Sequence, residues 1–175
     1  LAASNFYQWA PLLYLDRAIF GVSAMEAVQG KKSPLSFRTF DVGSFYLADD
    51  ADGNPDIITR TFYYTARQAE EEFGRENLPP EVLVDLQNKP LEKRKFLKII
   101  YPRPALEHDP ERGAKGAPIA IKWIYPQTKS VIQESGADEM PVMASRWLRW
   151  SESSPYGISP TMEALCEIHG VQFLE

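Results

Sequence analysis

Apolar residues recur at helical spacing through residues 3–20, with Phe6, Trp9, Leu13 and Phe20 as the expected buried stripe. Pro11 breaks that regularity and marks a kink or a restarted helix. After Gly21 the period changes. Val22 to Val28 partly alternates apolar with polar or small residues, Gln29-Gly30-Lys31-Lys32-Ser33-Pro34 reads as a turn, and Leu35 to Phe40 returns as the hairpin partner. A second hairpin pairs Ser44–Ala48 with Ile57–Tyr64 across Asp49-Asp50-Ala51-Asp52-Gly53-Asn54-Pro55-Asp56, whose Asp-Gly pair is a strong turn signal.

Thr65-Ala66-Arg67-Gln68 forms a capping box and predicts a short helix to Phe73, stopped by Gly74. Leu78-Pro79-Pro80 starts another, with Val82, Leu83 and Leu86 on its apolar side and Lys89-Pro90 at its end. Lys95 to Tyr101 is a strand, and Ile119 to Tyr125 its return. Between them, residues 102–118 hold three prolines before Pro118, two glycines and six charged side chains, the composition of a long exposed connection. Ser130 to Glu134 and Pro141 to Trp150 are further extended segments. The last element is the best punctuated: Gly157 loosens the backbone, Ser159 caps, Pro160 occupies the first helical position, and Glu163 sits near the positive helix end. Met162, Leu165, Cys166, His169 and Phe173 then fall on one face. The pattern as a whole is α+β, with mostly antiparallel strands and hairpins, short surface helices, and a helix at each end.

Composition narrows the class. Hydrophobic residues at 44%, 12% of the chain aromatic, suffice for a packed core, and 25% charged is ordinary. The net charge of −5 argues against a broad basic face for nucleic acid. One cysteine excludes an internal disulfide and a cysteine-cluster zinc site. No apolar run is long enough to span a bilayer, so no membrane partner is expected. Leu1 is not a natural start and the final helix has no stop signal, so the chain is expected to be an internal segment of a longer protein.

Candidate chemistry is sparse. The Asp49–Asp56 loop offers hard oxygen ligands, but a calcium loop needs glycine sixth and glutamate twelfth. From Asp49 those positions hold Asn54 and Arg60, and a solvated hairpin tip is the simpler reading. Cys166 and His169 are two ligands at most, more simply a packed pair, and His108 sits in the charged connection. There is no phosphate-binding glycine loop and no nucleophile elbow. No catalytic residue, cofactor or metal is assigned. Arg146-Trp147-Leu148-Arg149-Trp150 is the one basic aromatic cluster, suited to stacking on bases or to cation–π packing within a protein, the latter favoured by the negative charge. A nucleic-acid-binding module using Arg146–Trp150, and a metal-dependent hydrolase using the acidic loop or the Cys166–His169 pair, are the alternative functions.

The order of the segments resembles a family. Thr65-Ala66-Arg67-Gln68 with Phe73-Gly74 and Leu78-Pro79, Ile100-Tyr101-Pro102-Arg103, Glu134-Ser135-Gly136 with Glu139 and Pro141, Arg146-Trp147, and Tyr156-Gly157 with Ser159-Pro160 and Ala164-Leu165 are similar, in this sequence, to the portal or head-to-tail connecting proteins of short-tailed bacteriophages. The chain departs from the usual pattern at Ala137, Met140-Pro141-Val142 and Ile158. The resemblance implies a structural virion protein and not an enzyme: a ring of about a dozen copies at one capsid vertex, present in host cytoplasm during assembly. Through it, double-stranded DNA is packaged and ejected without sequence specificity. It implies terminase, scaffold or capsid, and tail-adaptor proteins as partners. Residues 1–155 would be a wing-like α+β region and 156–175 the start of a helix toward the stem. Thr65, Gln68, Tyr101, Arg103, Arg146, Trp147, Tyr156, Gly157, Ser159 and Pro160 are the expected assembly residues.

Overall fold

The computed structural model describes residues 4–30 and 33–172. The expected contributions of Lys31 and Lys32 to a turn, and of Phe173 to the last stripe, lie outside the described residues, as does the side chain of Cys166. In chain order the elements are α1 (Phe6–Phe20), β1 (Val22–Gln29), β2 (Leu35–Thr39), β3 (Phe45–Asp49), β4 (Pro55–Thr65), α2 (Ala66–Phe73), α3 (Pro80–Asn88) and β5 (Lys93–Pro102). There follow β6 (Ile119–Tyr125), β7 (Ser130–Ala137), β8 (Val142–Arg146), β9 (Leu148–Arg149), β10 (Gly157–Ile158) and α4 (Pro160–Gln172). The fold is α+β. Among the described residues no helix is long and apolar enough to cross a membrane.

The chain divides into two compact units, Leu1–Gly43 with Leu47–Pro55 and Pro141–Glu175, and Ser44–Tyr46 with Asp56–Met140. In the first, an antiparallel sheet of order β2-β1-β8 carries α1. The helix is stitched to β2 by polar bonds: Asn5 Oδ1 accepts from the Phe37 amide at 2.7 Å, and Thr39 Oγ1 donates to the Trp9 carbonyl at 3.0 Å. α1 runs unbroken through Pro11. That residue is exposed, so the Tyr7 carbonyl deprived of its donor can turn to water and the helix does not restart there. The buried face is Ala10, Leu13 and Asp16, while Phe20 is exposed.

The second unit is built on β4, β5, β6 and β7, consecutive strands of one antiparallel sheet. Strand alternation puts Phe62, Phe96, Trp123 and Tyr125 on one face, where they close over Ala66, Ala69 and Phe73 of α2, Leu78, and Val82 of α3. Phe73 lies 5.0 Å from Trp123 and 5.5 Å from Phe96, ring to ring, distances at which aromatic pairs add to simple area burial. α2 begins as its sequence requires: Thr65 Oγ1 accepts from the Gln68 amide and Gln68 Oε1 accepts from the Thr65 amide. Tyr125 is fully buried with its hydroxyl 3.2 Å from Glu81, and burial first, then that carboxylate, pushes its pKa up to about 12.

Candidate functional site

The family-pattern residues of the first unit converge. β8 pairs with β1 as far as Val22 and Arg146; at Trp147 the strand breaks, and β9 leaves to pair with β10. This break points Arg146 at the hairpin tip. Its Nη1 donates to Asp49 Oδ2 at 2.8 Å and to the Pro155 carbonyl at 3.2 Å, and Nη2 donates to the Gly53 carbonyl at 2.6 Å. The Arg146 and Asp49 side chains are 14% and 12% exposed, so this is a shielded, charge-assisted fork. Arg149 Nη2 reaches the same carboxylate oxygen at 3.5 Å and donates to the Glu152 carbonyl at 2.9 Å. Both arginines of the basic cluster are thus engaged inside the chain, while Trp147 and Trp150 stay exposed. The cation over Trp147 is Arg17 of α1, 5.8 Å from the ring centroid.

The chain then turns into α4. Gly21 ends α1 with φ 75°, its amide donating to Arg17 and its carbonyl accepting from Trp147. A Cβ on Gly21 would overlap the Gly157 carbonyl, and one on Gly157 the Gly21 carbonyl, so two backbones touch where only glycines fit. Two residues on, Ser159 is wholly buried. Its Oγ donates to the Ile19 carbonyl at 2.7 Å and accepts from the Met162 amide at 3.0 Å. One hydroxyl therefore serves the orphan carbonyl at the end of α1 and the orphan amide at the start of α4. Thr161 repeats the link, donating to the Ala18 carbonyl at 3.0 Å. Tyr156 adds a hydroxyl accepting from the Leu47 amide at 3.5 Å. Beyond this joint α4 displays Met162, Leu165, Ile168 and Val171, all exposed.

Tyr101, Arg103 and Glu134 meet in the second unit. Arg103, expected in an exposed connection, is 7% exposed. Its amide donates to Pro118 at 2.7 Å, Nε to Ala117 at 3.2 Å and Nη2 to Glu134 Oε1 at 3.0 Å. Lys122 stands 3.6 Å from that carboxylate oxygen and over the Tyr101 ring. Burial pushes the Glu134 pKa up, but the Arg103 hydrogen bond and Lys122 outweigh it and hold the carboxyl below its usual value. His108 sets Nε2 2.8 Å from the Arg103 carbonyl. The 102–118 connection is pinned onto the sheet by a guanidinium, and its composition did not reveal this because one buried arginine reads like any solvated one. Thr65 and Gln68 act at the start of α2 and belong to neither cluster.

The acidic tip binds itself. Asp50 Oδ1 accepts from the Asp52 amide at 2.9 Å and the Asn54 amide at 2.8 Å, and these backbone donors, Asn54 first, lower its pKa. An open depression of about 630 Å³ beside it is lined by Leu47 to Gly53, Arg149, Glu152, Ser153 and Pro155. Among the described residues no three His, Cys, Asp or Glu side chains are grouped to hold a metal. His169 is exposed on α4. Sequence reading placed Asp49 among solvated carboxylates; its partner lies 97 residues away, a pairing no local spacing signals. What the arrangement does is mechanical: it fixes how the chain leaves a sheet and enters a helix.

The family described as bacteriophage head to tail connecting protein matches residues 1–175. A portal protein of Salmonella phage epsilon15 is 28% identical over 171 residues, covering 97% of this chain and 31% of that protein. The chain thus spans about a third of the length of that relative.

Proposed function

Because the chain belongs to the family of bacteriophage head-to-tail connecting proteins, we propose that it forms the wing-like region, residues 1–155, and the first turns of the stem-directed helix, residues 156–175, of a portal ring. That ring passes double-stranded DNA into the capsid and out again. It works as a structural component at the capsid vertex and catalyses nothing itself; terminase, scaffold or capsid, and tail-adaptor proteins are its partners. The family match over the whole chain carries this reading.

Two physical features support it. A conduit for a polyanion has to let its cargo slide, and a net charge of −5 argues against a broad basic surface that would hold it. A ring also needs each copy to set its helix at one fixed angle, since a heterologous contact closes only when every subunit repeats the same rotation. The Arg146–Asp49 fork, the Gly21–Gly157 contact and the shared Ser159 hydroxyl would restrict the angle at which α4 leaves.

The test is Ala164→Pro in the full-length protein. Proline in the first turns of α4 removes a helical amide and costs about 3 kcal/mol. Rings seen by negative-stain microscopy should disappear while circular dichroism of the monomer loses no more than the helix signal of α4. Rings of normal number and diameter would overturn the proposed role of this joint.

A further inference from the structure

The two sides of the second unit are chemically unlike. One face of its sheet is closed by α2 and α3. On the other, cross-strand partners form rows: Thr59, Ile99, Lys122 and Glu134; then Thr61, Leu97, Ile124 and Val131; then Tyr63 with Lys95, and Thr65 with Lys93. The connection pinned by Arg103 covers one end of this face, where Ala120 and Gly116 are buried and a Cβ on Gly136 would strike the Ala114 carbonyl. The far end is open. Tyr63 is 62% and Val131 52% exposed, Leu97 and Ile124 are half-buried, and Lys93 and Lys95 are exposed with no ion pair among the described residues. The solvated face of an antiparallel sheet ordinarily reads polar; this one carries an apolar row across three strands beside two uncompensated cations.

On the opposite side, Glu71, Glu72, Glu76 and Glu81 of the α2–α3 layer are exposed, and Val84 of α3 is 57% exposed. Carboxylates outnumber cations six to two over residues 66–88. We propose that the open sheet face, Tyr63, Leu97, Ile124 and Val131 with Lys93 and Lys95, docks the acidic α2–α3 side of a second copy of this chain. Because the two surfaces lie on opposite sides of one unit, the contact is head-to-tail and propagates, which is what a ring requires. The charges steer the encounter and set its register, and the apolar row supplies the buried centre. A phosphate-binding face would need cations across the row in place of Leu97, Ile124 and Val131.

This inference rests on the ring reading above. The test uses the full-length protein, with ring fraction scored by negative-stain microscopy and size-exclusion light scattering. Lys93→Glu with Lys95→Glu should lower the ring fraction roughly tenfold or more, since like charges then face each other across the contact. Adding Glu71→Lys and Glu72→Lys to the same chain should restore it. Val131→Lys, at an exposed position where folding is little affected, should also block rings. If the charge-reversed and Val131→Lys proteins melt like the parent and still form rings, this surface is not the contact, though the ring reading survives. Normal rings with weakened DNA retention would assign the lysines to nucleic acid and overturn the proposal. If the parent itself forms no ring, the ring reading falls and this inference with it.

Discussion

Arg146→Ala is the sharpest probe of the joint. The guanidinium makes three hydrogen bonds, to Asp49, Gly53 and Pro155, and both partners of the ion pair are mostly shielded from water. Removing one member of a buried pair leaves its partner's charge uncompensated, which costs about 3 to 5 kcal/mol. Here Arg149 remains 3.5 Å from the same oxygen and is 37% exposed, so it recovers part of that loss. The expected destabilisation is therefore about 3 kcal/mol, the low end of that range. Arg146→Lys keeps the charge but cannot fork between the carboxylate and two carbonyls, and should cost about 1 to 2 kcal/mol.

Urea unfolding followed by tryptophan fluorescence reads this directly. Trp9, Trp147 and Trp150 lie in the first unit and Trp123 in the second, so a Trp123→Phe background reports the first unit alone. With a slope of about 2 kcal/mol per molar urea, Arg146→Ala should lower the midpoint by about 1.5 M. Asp49→Ala should act similarly, and the double variant should fall short of the sum by about 2 kcal/mol, because the two remove one interaction. A shift below about 0.3 M would place the pair with solvent-screened surface ion pairs and refute the shielded-fork reasoning.

Other substitutions and a pH series extend the test. Ser159→Ala removes an N-cap and leaves the Ile19 carbonyl without its donor, and should lower the stability of the first unit by about 1 to 2 kcal/mol in the same titration; an unchanged midpoint would deny the hydroxyl its double role. Gly21→Ala meets both a left-handed φ and the Gly157 carbonyl. It should destabilise more than Ser159→Ala does; a smaller loss would show that the backbones can part. In acid, Glu134 and Asp85 are the groups to watch. Arg103 and Lys122 outweigh burial to hold the Glu134 carboxyl below its usual 4.5, and a hydrogen bond from Arg94 holds Asp85 below 3.8. A depressed carboxyl stabilises the fold above its unfolded value, and the contribution is lost as pH falls through the folded one. Trp123 fluorescence should therefore report weakening of the second unit below pH 4.5 that Glu134→Gln flattens, and further loss below 3.8 that Asp85→Asn flattens. Identical slopes in parent and variants would contradict both assignments.

Local signals were legible because local physics made them. The Thr65–Gln68 box, the Gly74 stop and the Ser159-Pro160 start each satisfy backbone groups within one turn, so sequence and structure agree there. The hairpins were legible from alternation and turn chemistry, and the structure adds that Asp50 folds the acidic tip onto its own amides. Distant partnerships were not. Arg103 looked solvated because nothing near it in sequence says that the Ala117 carbonyl and Glu134 await it. Pro11 looked disruptive because sequence does not say which carbonyl can reach water. For Arg146 and Arg149 packing within the protein was the favoured reading, but their partner was not legible, because Asp49 lies across the whole second unit in sequence.

The joint therefore reassigns two features that seemed unrelated. The acidic loop and the basic aromatic cluster were each candidates for binding something from outside, a cation or a nucleic acid. Asp49 of the loop pairs with Arg146 and Arg149 of the cluster instead, Asp50 is held by its own loop's amides, and the rings of Trp147 and Trp150 and the apolar residues of α4 stay exposed. Charge at this joint is spent on geometry, and apolar surface is what it presents. A surface that grips a nucleic-acid backbone needs free cations, and here Arg146 and Arg149 are engaged within the chain.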